Sequence, residues 1–261
     1  MPSLVNQRII LTGGSGGLGE LTAAGLVRAG ANVTILSRSS GSRHVRHLVA
    51  DLWTQEGIAG ACEVVCREEP DILINMAGVQ HFGPTETQSL DALCGGFNVN
   101  LVAPVALCRA CIPAMRHRNS GQIVNIGSIL GSIACANFAS YSSAKAGLRA
   151  FSEALRRELA DTAIAVTYVA PRAVRTRMIT PALATYAKLA GMSMDRPEGV
   201  AARIVAAVGR RDKDVYIGFP ERVFVGLNAM FPRLVDAAMA RRDRLARSLF
   251  TARKGGSIDD R

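Results

Sequence analysis

Tyr141 and Lys145 stand four positions apart in SYSSAKAG, residues 140–147, among residues small enough to pack closely. On a helix, positions i and i+4 share one face. An ammonium beside a phenol favours the phenolate and lowers its pKa. That makes a tyrosine usable as proton donor and acceptor near neutral pH. A surface Tyr/Lys pair on an amphipathic helix has the same spacing, so the other segments must decide.

Residues 12–19 read TGGSGGLG, with Gly13, Gly17 and Gly19 in the pattern G-x-x-x-G-x-G. The preceding residues 7–13 are apolar and β-branched before breaking into glycine, which predicts a buried strand. Residues 18–29 have helical spacing and stop at Gly30. A glycine-rich turn between a strand and a helix lets the backbone approach a pyrophosphate, and the helix N-terminus supplies N–H groups and partial positive charge. After a second strand, at 32–38, Arg38 stands where a site for NAD would carry an acidic residue. Arginine suits a 2′-phosphate with bidentate geometry, so NADP(H) is the better fit than NAD(H). Arg43 is placed to assist from the next loop. Asp51, before Leu52, reads either as an acceptor for an adenine amino group or as a helix cap.

Strands must position these residues. They are predicted at 7–13, 32–38, 45–51, 71–77, 122–128, 163–170 and 215–219, and helices at 18–29, 90–118, 141–161 and 200–209. Pro104 and Pro113 mark boundaries or kinks within 90–118. The link between the second and third strands is too short for an ordinary crossover helix and reads as a loop at 39–43. The alternation predicts an α/β class: a single doubly wound, Rossmann-like domain with a parallel seven-stranded sheet and helices on both faces. Ligands then bind at the carboxyl ends of the strands, where the candidate residues fall.

The bulk properties bound the alternatives. The chain has 261 residues, 49% of them hydrophobic, enough for a large core. Aromatic residues make up 5%, which argues against a stacking surface for nucleic acid. The net charge of +10 suits an anionic cofactor, an acidic carrier protein or an anionic membrane, and also a plain basic protein. Cys62, Cys66, Cys94, Cys108, Cys111 and Cys135 lie in apolar segments and read as reduced core thiols of a cytoplasmic protein. Cys108 and Cys111 form a C-x-x-C without the second pair that zinc requires. His44 and His47 read as solvated or packed, and no metal site is expected. Residues 1–8 lack the pattern of a signal peptide, and no uninterrupted apolar run is long enough to predict a spanning helix.

With these segments in place, the sequence resembles the short-chain dehydrogenase/reductase family, of its shorter single-domain kind, over residues 7 to about 220. The likeness rests on TGGSGGLG, on Asn75-Met-Ala-Gly78 after the fourth strand and on Asn100 in FNVNLVAP. Ser128, Tyr141 with Lys145, and Pro171 complete it. Ser128 precedes Tyr141 by 13 positions, a separation the family commonly shows. The resemblance implies hydride transfer between a nicotinamide cofactor and a small-molecule carbonyl or secondary alcohol. Tyr141 is then the general acid or base, Lys145 lowers its pKa and holds the nicotinamide ribose, Ser128 positions the substrate carbonyl, and Asn100 holds a water on a proton path. Cofactor contacts are implied for Gly13, Ser15, Gly16, Gly17, Leu18, Gly19, Arg38, Asp51 and Leu52. They are implied also for Asn75, Ala77, Gly78, Tyr141, Lys145, Pro171, Val174 and Thr176. A homodimer or homotetramer is implied as well, with Ser142, Ser143, Ala144 and Ala146 permitting close packing of their helix on a second subunit.

Two positions depart from the family pattern. Met76 stands where a second Asn is frequent, and Arg172 where glycine usually follows the proline. Arg172, Arg175 and Arg177 are candidates for a pyrophosphate or an acidic substrate group, or are solvated loop residues. Residues 178–197 are expected to form a lid with apolar content. Residues 1–220 are read as the dinucleotide-binding catalytic domain, 221–253 as an amphipathic helical extension and 254–261 as a disordered tail. The extension either packs on its own domain or a neighbouring subunit, the favoured reading, or lies as a basic amphipathic segment on an anionic membrane. A 3-oxoacyl-thioester reductase, a non-catalytic NADP-binding redox sensor and a dehydratase or epimerase are competing readings.

Overall fold

The runs RIILT and ILIN bury nearly every residue, as strands covered on both faces must. In the structure, a computed structural model that describes residues 4–39 and 45–254, they form β1 (Arg8–Thr12) and β4 (Ile72–Asn75) at the centre of the sheet. The other strands are β2 (Asn32–Ser37), β3 (Arg46–Val49), β5 (Gly121–Ile126), β6 (Ile164–Pro171) and β7 (Asp214–Ile217). All neighbours pair in parallel, in the order β3-β2-β1-β4-β5-β6-β7. The order reverses between β1 and β4, and a crevice opens there at the carboxyl ends of the strands.

Helices α1 (Gly17–Arg28) and α7 (Pro197–Arg210) cover one face, where Leu26 and Ile204 meet Ile35, Ile74 and Val169. Helices α2 (Gln55–Glu68), α4 (Ala103–His117) and α5 (Ala139–Glu158) cover the other, where Val65, Leu107, Met115 and Leu155 meet Leu36 and Leu73. Each fully buried aliphatic side chain of this kind contributes about 1.5–3 kcal/mol. The seven-stranded doubly wound sheet expected from the sequence is present.

Helix α2 is absent from the sequence-based expectation. Gly57 and Gly60 weaken its propensity, and Thr54, whose side chain accepts from the Gly57 N–H, caps it. Helix α3 (Leu90–Phe97) runs into α4 through a π-helical turn, Asn98–Val102. Pro104 sits in the first turn of α4, where a missing N–H is tolerated, whereas Pro113 lies inside it. The run Leu90–His117 is long and apolar enough to cross a membrane. Here Leu107, Cys108, Cys111 and Met115 bury its apolar face beneath the sheet.

The expectation of six core thiols holds for Cys108 and Cys111 but not for Cys66 and Cys94, which are exposed. Cys66 lies at the edge of the α2–α4 contact, where its thiol donates to the Ala110 carbonyl at 3.6 Å, and Cys94 lies on an exposed position of α3. His47 Nε2 lies 2.9 Å from Ser37 Oγ. Arg43, His44 and residues 255–261 lie outside the described residues. Lys254, placed in the disordered tail by the sequence reading, closes a helix instead.

Beyond β6, α6 (Pro181–Leu189) forms the centre of the lid segment, and α8 (Glu221–Met230) and α9 (Pro232–Lys254) form the extension. Pro232 separates these two helices, as its ring requires. The extension packs on its own chain. Val235 joins Ile129 and Ile133, Asn228 Nδ2 donates to the Ser132 carbonyl at 2.9 Å, and α9 lies against α6.

Candidate active site

A cleft of about 810 Å³ runs along the carboxyl ends of the central strands. Its floor at one end is the turn between β1 and α1. Gly13 has φ +70°, and a Cβ there would lie 2.7 Å from the Ala77 Cα. A Cβ on Gly19 would overlap the Gly13 carbonyl oxygen. Glycine is therefore required at both, and the turn lies flat at the N-terminus of α1, a site suited to an anionic group. Thr12 Oγ1 accepts from the N–H groups of Met76 and Ala77, each at 3.0 Å, and so ties this turn to the segment after β4. That joint carries no sequence signal beyond the threonine itself.

The cleft gathers most of the residues singled out from the sequence. Gly13, Ser15, Gly16, Gly17, Leu18 and Gly19 line its glycine end. Arg38, Asp51 and Leu52 line the rim beside β2 and β3, with Arg38 exposed. Ala77 and Gly78 line the wall after β4, and Pro171, Val174 and Thr176 the segment after β6. Asp51 Oδ1 accepts from the Trp53 N–H at 3.1 Å. Because Thr54 caps α2, the helix-cap reading of Asp51 is set aside.

Asn75 is the exception. Its side chain turns into the core, where Nδ2 donates to Asn125 Oδ1 at 2.9 Å and lies 3.4 Å from Cys108 Sγ. It does not line the cleft. Adjacent residues of a strand point to opposite faces, so a motif position does not by itself reveal a contact.

Ser128, Tyr141 and Lys145 meet in the middle of the cleft. Ser128 leads into a short 3₁₀ turn, Ile129–Gly131, which a glycine lets pack on α5. A Cβ on Gly131 would lie 2.7 Å from the Lys145 carbonyl oxygen. Tyr141 is half-buried, and Lys145 is 3% exposed. The Lys145 ammonium donates to the Ile126 carbonyl at 2.9 Å and lies 6.0 Å from the centre of the Tyr141 ring. Burial pushes the Lys145 ammonium down to about 8. Burial pushes the Tyr141 phenol above its ordinary value, while a hydrogen bond with Ser128 acts the other way. This reverses the direction expected from the Tyr/Lys spacing alone: in this structure desolvation of the phenolate outweighs its stabilisation.

Asn100 lies behind this group, in the π-helical turn. Its Nδ2 donates to the carbonyls of Val79 at 2.8 Å and Gly96 at 2.9 Å, and its Oδ1 accepts from the Val79 N–H. A Cβ on Gly78 would lie 3.3 Å from Asn100 Oδ1 and 3.8 Å from Lys145 Nζ, so Gly78 lets the two side chains flank it. Asn100 borders not the main cleft but a cavity of about 110 Å³ that also touches Tyr141.

A family model described as short chain dehydrogenase matches residues 7–187. The chain belongs to the short-chain dehydrogenase/reductase family. It is 32% identical over 240 residues to the ketoacyl reductase HetN of Nostoc sp., covering 83% of this chain and 80% of that protein. It is 31% identical over 271 residues to dehydrogenase/reductase SDR family member 7B of Rattus norvegicus, covering 94% and 83%. A crystal structure of a short chain dehydrogenase from Burkholderia cenocepacia in complex with NADP is 25% identical with a TM-score of 0.76, covering 91% of this chain and 98% of that one.

Against the family pattern, Met76 lines the cleft wall with no polar consequence. Arg172 lines the cleft, but its guanidinium is paired within the protein, so it is not a solvated loop residue. Its Nη2 donates to Asp195 Oδ1 at 2.7 Å, and its Nη1 to Glu221 Oε2 at 2.9 Å and the Phe219 carbonyl at 3.0 Å. Arg175 and Arg177 are exposed, and Arg177 lines the cleft. The lid segment expected from the sequence brings Leu183 to the cleft, but the sequence reading missed the rest of its far wall, where Phe138 stands with Phe224, Leu227, Val235 and Met239 of the extension. The apolar stripe of residues 223–239 was the available signal, but nothing in it pointed to the cleft.

Proposed function

We propose that this short-chain dehydrogenase/reductase transfers hydride between NADP(H) and the carbonyl or secondary alcohol of an apolar small molecule. The convergence of Ser128, Tyr141 and Lys145 on one cleft with the glycine turn carries this reading. The residues fit a dinucleotide. The flat turn at Gly13 and Gly19 receives the pyrophosphate, Arg38 at the exposed rim favours a 2′-phosphate over a plain ribose, and Lys145 holds the nicotinamide ribose. When bound, the cofactor supplies the hydride, which no side chain can. Ser128 orients the substrate carbonyl by donating a hydrogen bond. Tyr141, protonated at neutral pH as an ordinary phenol is, gives its proton to the oxygen as negative charge develops there. Lys145 keeps a positive charge beside that proton. Asn100 borders a cavity roomy enough for ordered water, which supports a path for reprotonating Tyr141.

Replacing Tyr141 with Phe tests the reading. NADPH oxidation by a ketone is expected to fall by about 10²–10⁴-fold, with NADPH still bound. Undiminished turnover would remove Tyr141 from the reaction, and no turnover by either protein would favour the redox-sensor reading.

A 3-oxoacyl-thioester reductase is the second reading, favoured by the ketoacyl reductase relative and by a charge of +10 suited to an acidic carrier. An assay with a 3-oxoacyl thioester separates the two. Leu90 and Val102, exposed apolar residues on neighbouring elements, support assembly into a homodimer or homotetramer, which light scattering tests. The buried thiols Cys108 and Cys111 support a reducing, cytoplasmic compartment. The extension also exposes Val223, Met230 and Phe231, and four arginines, Arg241, Arg242, Arg244 and Arg247, follow. These support peripheral contact with an anionic membrane, which flotation with liposomes, with and without residues 221–261, tests.

A further inference from the structure

We propose that Arg172 is a positioning residue that clamps the lid to the C-terminal extension, and that the wall so formed selects substrates carrying an extended apolar chain. The inference rests on the carbonyl end of the substrate lying at Tyr141.

The clamp has three bodies. Arg172 follows Pro171 at the carboxyl end of β6, and its backbone N–H bonds the Ile217 carbonyl at 3.0 Å. Asp195 closes the lid segment. It is itself held by backbone bonds, its N–H to the Ala173 carbonyl at 2.9 Å and its carbonyl to the Arg175 N–H at 3.1 Å. Glu221 is the first residue of α8. One guanidinium therefore links the sheet, the end of the lid and the head of the extension. Its side chain is only 16% exposed, so the charges are partly withdrawn from water and the pairing is strengthened. Gly218 makes room for it, since a Cβ there would lie 2.7 Å from the Arg172 Cδ. Without the arginine, Asp195 and Glu221 would face each other as like charges.

The clamp fixes what the cleft is made of beyond Tyr141. Helices α8 and α9 contribute Phe224, Leu227, Leu234, Val235, Ala238 and Met239 to its lining. The lid contributes Ile179, Leu183 and Met192, which cluster with Phe138 and Tyr141. Farther out, Phe82 stacks on Tyr186 of the lid at 5.2 Å and meets Phe250 of α9 at 5.3 Å. The wall is lined mainly by apolar side chains, with Arg172, Arg177, Ser193 and Glu221 also reaching the cleft. A substrate with a hydrocarbon chain buries it there, at about fourfold in affinity for each buried methylene. A short polar ketone gains nothing from it.

The test is binding, read by displacement of an environment-sensitive apolar dye from the NADPH-loaded protein by 2-octanone and by 2-butanone. The native protein is expected to prefer 2-octanone by about 250-fold, four methylenes at about fourfold each. Arg172→Ala should cut that preference at least tenfold, and Leu227→Asp, a change at a partly exposed position of the wall, should do the same. Adding Glu221→Gln to Arg172→Ala should restore part of the preference by relieving the carboxylate repulsion, which a general loss of stability would not do. Equal binding of the two ketones by native protein, or an unchanged preference in both Arg172→Ala and Leu227→Asp, would overturn the proposal. Preference for 2-octanone without any NADPH oxidation would leave the wall standing and count instead against the catalytic reading.

Discussion

Lys145 donates its ammonium to the Ile126 carbonyl at 2.9 Å, joining the first turns of α5 to the end of β5. The charge is buried, and burial lowers its pKa from 10.5 to about 8. At pH 7 both folded and unfolded chains hold the proton, so the folded chain bears the full cost of the buried charge. Between pH 8 and 10.5 the folded chain releases the proton and the unfolded chain keeps it. The unfolded state then binds more protons, and stability rises with pH.

Lys145→Met removes that titration. The stability of native protein relative to Lys145→Met is therefore expected to rise by about 2 kcal/mol between pH 7 and pH 10. Urea unfolding at the two pH values measures it. Parallel behaviour of the two proteins would mean that the ammonium is not desolvated.

The glycine turn separates folding from binding. A Cβ on Gly19 overlaps the Gly13 carbonyl oxygen and comes within 2.9 Å of the Gly14 Cα, whereas one on Gly16 has only Gly13 oxygen at 3.6 Å. Gly19→Ala should destabilise the chain by about 1–3 kcal/mol and lose NADPH binding with it. Gly16→Ala should melt as the native protein does yet bind NADPH more weakly, because its methyl stands in the cleft. Melting curves and NADPH titrations of both variants check this. Equal melting of the two would place the crowding elsewhere.

The central strands, the glycine turn and the Ser128, Tyr141 and Lys145 group were legible because each has a local signal: an apolar run, a turn chemistry, a spacing. Helix α2 was not, since two glycines and a short apolar stripe hide its period. The role of Arg172 was also out of reach. Its partners lie 23 and 49 residues away, and nothing local marks Asp195 or Glu221 as the carboxylates that hold it. The same holds for the far wall of the cleft, whose apolar stripe could serve a subunit, a membrane or its own chain equally well. Asn75 was misplaced for a subtler reason: the motif fixes the position along β4, but strand alternation decides which way the side chain turns.

Asn75→Ala therefore has an outcome opposite to that of a cofactor contact. The change leaves Asn125 Oδ1 without the donor it has at 2.9 Å, in a fully buried setting. Stability should fall by about 1–3 kcal/mol, while the NADPH dissociation constant stays within twofold. Calorimetry and a binding titration report the two separately. Weakened NADPH binding in a protein of native stability would return Asn75 to the cofactor site.

On the function proposed above, Arg38 would carry the choice between the two nicotinamide cofactors. It is exposed at the rim of the cleft, just after β2, and Ser37 before it is buried with its hydroxyl donating to the Ser39 carbonyl at 2.9 Å. The guanidinium is thus free to turn toward a 2′-phosphate. Its loss removes a charge-assisted hydrogen bond worth about 1.5–3 kcal/mol, ten- to a hundredfold in affinity. An aspartate in its place adds repulsion of the phosphate and an acceptor for the 2′- and 3′-hydroxyls of NADH. Arg38→Ala is expected to weaken NADPH about tenfold to a hundredfold and leave NADH unchanged. Arg38→Asp is expected to invert the preference. Fluorescence titration with both cofactors decides it, and a native protein that binds NADH as tightly as NADPH would remove Arg38 from the selection altogether.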